Sequence, residues 1–259
     1  MGGALNFNGT SEYLTVPVIP EYMVVVNSNT QSSFIYLEAW IRPTAGGGTY
    51  TIFDFYGDGN TFGGILLRVA DSGVLDSVDS FISLTKGSAN VSGVSRLAHH
   101  VPIATIRTPQ LFDGNFHHLM IKIQGGGPGV HFVLDNATVY SKSGVSDSSS
   151  SPNTFMNSWD LDTIYIGRRQ NGTNYFKGDI ANVAIYKGYT SDVEISQRYN
   201  RGMGANPTSL MGRALLNLKL DEVSGNVAAD SSIYNNPATL NGFSAGRLLQ
   251  NGGAWIKAA

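Results

Sequence analysis

LDTIYIGRRQNGTNYFKGDIANVAIYKGYTSDVEISQRYNRG, residues 161 to 202, carries the pattern that decides the fold. Leu161, Ile164 and Ile166 fall in a short β-rich run that stops at Gly167. The polar stretch after it contains Gly172, a residue free to take a positive φ. Ile180, Val183 and Ile185 then mark a second run, from Phe176 to Tyr186, with much of the alternation of a half-buried strand. Ser191 followed three residues later by Glu194 fits a capping box, so 192–199 reads as a short helix. The expectation is a β-hairpin followed by one helical turn near the rim of a sheet.

The rest of the chain has the composition of an all-β protein. Its 259 residues include 31 glycines and 14% charged residues, and Thr, Val, Ile, Tyr and Phe recur in short runs. That length suits one large β domain or two small domains and is enough to bury a sizeable core. The formal charge is −2 and no basic cluster exceeds Arg168-Arg169, whereas a phosphate-binding groove needs several clustered cations. Nucleic acid is therefore not an expected partner. With no cysteine, disulfides and thiolate metal sites do not contribute. No apolar run approaches the roughly 20 residues of a membrane span. The opening MGGALNF enters a strand pattern at once, without the basic and apolar regions of a signal peptide, which predicts cytoplasmic synthesis.

Leu5 to Phe7 and Tyr13 to Val16 read as a hairpin turning at Asn8-Gly9. Phe34 to Ile41, with Trp40, reads as a central strand buried on both faces. Tyr50 to Tyr56 should pair with Gly64 to Val69, and Phe116 to Gln124 and Val130 to Leu134 are further strands. Candidate strands also lie at Phe81 to Leu84 and Leu97 to Ile106. Near the end, Leu216, Leu218 and Leu220 point to one face of a strand and should fill the core.

Several of these pieces stand in a recognisable order: Ala4 to Gly9 with Tyr13 to Pro17, Leu37 to Pro43, Asp113-Gly114-Asn115-Phe116-His117-His118, Ile164 to Gly167, Phe176 to Ile180, Val183 to Tyr186, and Glu194-Ile195. Together they resemble a laminin-G-like jelly-roll domain of the concanavalin A-like lectin/glucanase superfamily. The resemblance implies an all-β, two-sheet antiparallel jelly-roll sandwich with one short helix. It also implies surface recognition of glycans, as in adhesion. Leu215 to Glu222, Ala229 to Ser232 and Ala238 to Leu240 resemble the family's opening strand and loop, yet here they come last. The chain thus looks circularly permuted, with 213–259 completing a single domain over 1–259. The alternative is a truncated second repeat, which the echo of Gly2 to Leu5 in Gly252 to Trp255 keeps open.

Glucanases of this superfamily use a Glu-x-Asp-x-(x)-Glu strand motif, whose acids project to one face. Nothing matches it: Glu38 stands alone, Asp221 and Glu222 are adjacent, and Asp160 and Asp162 have no third acid. His99-His100 and His117-His118 are adjacent pairs that point apart on a strand, so neither chelates one ion. At His117-His118 the resemblance implies that one ring packs and the other faces out. There is no Gly-x-Ser-x-Gly elbow. The chain is expected to be non-catalytic.

Sugar sites on sheet folds combine aromatic faces with amide and carboxylate groups. The loop carrying Asp54, Tyr56, Asp58 and Asn60 and the loop carrying Asn171, Asn174 and Tyr175 are the expected glycan contacts, although the same residue types also build ordinary turns. The resemblance also implies a calcium ion in some members; the candidates to hold one here are Asp54 with Asp58, or Asp221, Asp230 and Asn236, without EF-hand spacing. The expected partner is a glycan or cell-surface polysaccharide, met from a virion surface. The alternatives are a capsid-decoration or fibre subunit that contacts other virion proteins without binding sugar, and a glycan-active hydrolase.

Overall fold

The computed structural model describes residues 3–22, 34–54, 64–71, 76–83, 96–102, 111–124, 129–142, 163–199, 213–222, 224–244 and 248–249. They form two antiparallel sheets and one α-helix, α1 (Asp192–Tyr199). The first sheet runs β10 (Ala137–Lys142), β9 (Gly129–Leu134), β8 (His117–Gln124), β3 (Phe34–Pro43), β12 (Lys177–Lys187), β1 (Ala4–Asn8) and β16 (Leu248–Leu249), with β13 (Ala214–Leu218) also on β12. The second runs β14 (Val227–Ala228), β15 (Ala238–Asn241), β2 (Tyr13–Pro17), β11 (Thr163–Ile166), β4 (Gly48–Asp54), β5 (Gly64–Asp71), β6 (Asp76–Ser83) and β7 (Arg96–Pro102).

Period-2 alternation builds the core between the sheets. Leu37, Ile41, Leu119 and Ile180 project from the first sheet, and Leu14, Val16, Ile164 and Ile166 from the second, all of them buried. β3 lies between β8 and β12 and is buried on both faces, as expected. Its inward residues are Ile35, Leu37, Ala39 and Ile41, while Phe34, Tyr36, Glu38 and Trp40 lie on the opposite face beneath α1. The capping box of α1 forms: Glu194 N–H donates to Ser191 Oγ at 3.2 Å, and Ser191 N–H donates to Glu194 Oε2 at 2.8 Å.

Two expected hairpins are instead arches between the sheets. β1 pairs with β12 and β16, whereas β2 pairs with β11 and β15. Likewise β11 pairs with β2 and β4, whereas β12 pairs with β1, β3 and β13. The reason lies in burial. Leu5 and Phe7 meet Leu14 and Val16 across one core, as do Ile164 and Ile166 with Ile180 and Ile185, so the paired runs must face each other from opposite layers. At the first arch Asn8 Oδ1 accepts the N–H groups of Thr10 and Ser11 at 2.8 and 2.9 Å. The second arch pivots on Gly167, whose φ is +87°; a Cβ there would lie 2.5 Å from the Phe7 ring. Gly167 N–H donates to Ile52 O at 3.1 Å, and its own carbonyl accepts Phe176 N–H at 2.7 Å.

The segment after 212 enters both sheets. β13 pairs with the second half of β12 (Ile185 opposite Leu216) while β1 takes the first half (Leu5 opposite Ile180), so β1 and β13 lie end to end. Leu216, Leu218 and Leu220 are buried in the core, as their spacing predicts. β15 pairs with β2, Leu240 opposite Leu14. Asp221 and Glu222 lie beyond β13 rather than on a strand, and Glu222 Oε1 accepts Ala229 N–H at 2.6 Å.

Candidate functional site

Around β3 the outer face of the first sheet is covered by α1. Arg198 on α1 reaches down to Glu38 and donates Nε–H to Oε2 at 2.6 Å, with a second contact from Nη2 to Oε1. His118 Nε2 lies 3.3 Å from the same Oε2, and Tyr199 stacks on Trp40 at 5.8 Å. Burial pushes His118 down to about 4 against the opposing pull of Asp135, so the ring is neutral at ordinary pH. The carboxylate on the central strand is thereby committed to an internal ion pair.

Neither histidine of the 117–118 step faces out. His118 is 0% exposed and His117 is 3% exposed, which corrects the expectation of one outward ring. His117 sits at the rim between two carboxylates: Nδ1 is 2.7 Å from Asp135 Oδ2, and Nε2 is 3.1 Å from Asp113 Oδ1. Burial alone would lower its pKa, but the bonds and charges of Asp135 and then Asp113 outweigh it and raise the value.

The second sheet presents a more open face at β14, β15, β2 and β11. Because Leu14, Val16, Ile164 and Ile166 point inward, Tyr13, Thr15 and Tyr165 point outward. The register places Thr239, Thr15, Tyr165 and Asp54 in one row across four strands. Val227, opposite Thr239 on β14, is 47% exposed. The turn after Gly167 lays Arg168 on the tyrosines, with its Cζ 3.7 Å from the Tyr13 ring centroid and 4.8 Å from that of Tyr165. Tyr175 completes the group, 6.3 Å from Tyr13. These four side chains are half-buried, each showing part of its surface to solvent.

The loop between β11 and β12 borders this patch and carries three of the expected contacts. Asn171 is exposed, with its Oδ1 accepting Thr173 Oγ1–H at 2.7 Å. Asn174 adopts φ +51°, and its carbonyl accepts Thr51 N–H at 3.0 Å. Tyr175 joins the aromatic group. Asp54 plays a different part: it is 1% exposed, and its Oδ2 accepts Gln170 N–H at 2.9 Å, holding the loop from below. Tyr56, Asp58 and Asn60 lie outside the described residues. Sequence reading missed Tyr13, Tyr165 and Arg168. The alternation that turns Leu14 and Ile164 inward also turns the tyrosines outward, but their meeting depends on a β2–β11 register between distant segments.

Calcium does not fit Asp230 and Asn236. Asp230 Oδ1 accepts N–H from Asn217 and Ser232, both at 2.8 Å; Oδ2 accepts Ser232 Oγ–H at 2.6 Å and Asn236 N–H at 2.8 Å. Those four bonds fill the roughly four acceptor positions of a carboxylate. Asn236 Nδ2 donates to Pro17 O and Tyr22 Oη at 2.7 and 3.0 Å, so the pair ties the last segment to β2. Among the described residues no group of three or more His, Asp or Glu is placed to hold a metal. Asp58, Asp160 and Asp162 lie outside them.

Residues 8–196 match the laminin-G-type family model of the concanavalin A-like lectin/glucanases superfamily. The chain belongs to that superfamily. Solved structures share the fold. A candidate carbohydrate-binding protein from Bacteroides ovatus ATCC 8483 is 19% identical with a TM-score of 0.53, over 93% of this chain and 60% of its own, so this chain spans about three-fifths of that protein. The heptameric SAP-like pentraxin of Limulus polyphemus is 11% identical with a TM-score of 0.50, over 80% of this chain and 85% of its own. No curated protein matches the sequence.

Proposed function

We propose that this chain is a non-catalytic glycan-recognition module whose sugar platform is the outer face of the second sheet around Tyr13, Tyr165 and Tyr175. The observation that carries this reading is the clustering of three partly exposed tyrosine rings on the more open face of a lectin-superfamily sandwich. Sugar C–H surfaces pack on such rings, and Asn171 with the Thr15 and Asn241 side chains beside them supplies hydrogen-bonding groups for hydroxyls. The non-catalytic reading is supported by Glu38, whose carboxylate is bound to Arg198 beneath α1. Residues 213–259 complete the same domain, a reading supported by the pairing of β13 with β12 and of β15 with β2.

Binding of the purified chain to a broad glycan array, with and without chelator, tests the reading. The expected result is a chelator-insensitive signal that Tyr13→Ala and Tyr165→Ala each weaken about threefold to tenfold, the scale of an aromatic contact worth roughly 0.5–1.5 kcal/mol. A blank array, or alanine variants that bind like the parent, overturns it. A blank array would move the assignment to a structural decoration role.

A further inference from the structure

We propose that the glycan taken by this platform is acidic, and that Arg168 is the residue that receives its carboxylate. The inference rests on the glycan-binding reading above and specifies the chemistry of the same site.

Among the described residues Arg168 differs from Arg42, Arg169, Arg198 and Arg213 in having no anion beside it. Arg42 meets Asp179, Arg198 meets Glu38, Arg213 meets Glu194, and Arg169 lies 3.8 Å from Asp54. Among the described residues no carboxylate comes within ion-pair distance of Arg168, whose one hydrogen bond runs from Nη1 to Tyr175 Oη at 3.4 Å. Its Nε is buried without a partner. A guanidinium has five donors in a planar fork that matches a carboxylate two bonds at a time. Here that fork is half-removed from water and almost unused.

The surroundings favour an anion. Thr239, Thr15 and Tyr165 in the main row are neutral, as are Asn241 and Tyr13 in the next. The carboxylate of the row, Asp54, is buried and engaged by the backbone of Gln170. The chain as a whole carries −2, so the cation here is a local feature and not part of a general basic surface. Its Cζ lies over the Tyr13 ring, 3.7 Å from the centroid, a cation–π contact that holds the guanidinium on the sheet face where a stacked sugar would lie. A carboxylate on that sugar would receive charge-assisted hydrogen bonds from a guanidinium already partly desolvated. If Arg168 served only to brace the tyrosines, ligand charge would not matter.

The test uses the full chain and an immobilised panel of uronate- and sialate-terminated oligosaccharides, each beside its carboxyl-reduced counterpart. The expected result is retention of at least one acidic member, weakened tenfold or more by carboxyl reduction and by raised salt. Arg168→Gln should bring binding of the acid down to the level of the reduced sugar, with Arg168→Lys intermediate. The ligand-side comparison uses the native protein, so it stands even if an Arg168 variant fails to fold. Reduced or neutral sugars binding as tightly as the acids would overturn the acidic assignment and leave the platform intact. Preferential binding of a sulfated sugar lacking carboxylate would overturn the choice of carboxylate. No retention of any sugar would overturn this inference together with the glycan reading.

Discussion

His117 shows how one side chain makes the fold sensitive to pH. Its ring bridges Asp113, on the turn before β8, and Asp135, on the turn between β9 and β10. The same Asp135 accepts His118 N–H through Oδ1 at 2.9 Å, so the bridge anchors two turns at one rim. In the folded state the His117 pKa stands above its ordinary 6.5. Its contribution is therefore complete below about 6.5 and is lost as pH rises through the folded value. Asp113 moves the other way: burial would raise it, but bonds from Asn115 and His117 bring it below 3.8. Its contribution is present above 3.8 and is lost as pH falls through the lower folded value. The bridge is strongest between these limits. His117→Gln should thus lower the urea midpoint more at about pH 5 than at about pH 8.5. A deficit equal at both values would show that the ring acts as neutral packing.

At the scale of elements, α1 is an eight-residue helix too short to persist alone. Its capping box closes one end and Arg198 anchors the other in the first sheet. Arg198→Leu leaves the Glu38 carboxylate buried without its partner, an arrangement that costs about 3–5 kcal/mol. Removing both charges, as Glu38→Leu with Arg198→Leu, should recover much of that loss, because the desolvated anion is gone. Urea unfolding of the two variants checks this, and a double variant worse than the single one would refute it. The helix itself was legible, since Ser191 and Glu194 encode the cap within four residues. The strands were legible for the same reason, their alternation being local. Sheet membership was not. Asn8-Gly9 resembles a hairpin turn locally, and only the need of Leu5 and Leu14 to bury against each other from opposite layers makes it an arch. The candidate face divides in the same way: Tyr175 could be read from its loop, while Tyr13 and Tyr165 come together only through strand register.

For the whole molecule, the order in which the chain enters the sandwich matters more than any single contact. β1 and β13 share one side of β12, and the change from one to the other falls near Asn182, at φ +46° and beside a bulge between Ala181 and Ala184. Among the described residues, no strand before 213 pairs with that half of β12 or with the side of β2 taken by β15. Leu215, Leu216, Leu218 and Leu220 all lie in the inter-sheet core. At roughly 1.5–3 kcal/mol for each buried leucine, these four contribute on the order of 6–12 kcal/mol as an upper bound. The net stability of a domain is about 5–15 kcal/mol. Asp230 and Asn236 add the polar ties, to the backbone of Asn217 and to Pro17 and Tyr22. A chain ended after residue 212 should lose its cooperative thermal transition, followed by circular dichroism, and expose apolar surface to a hydrophobic dye. Adding residues 213–249 as a separate peptide should restore part of the transition, because the missing strands dock by pairing and burial with no need of a covalent link. A truncated chain that melts cooperatively within a few degrees of the parent would make the last segment an appendage and return it to the repeat reading.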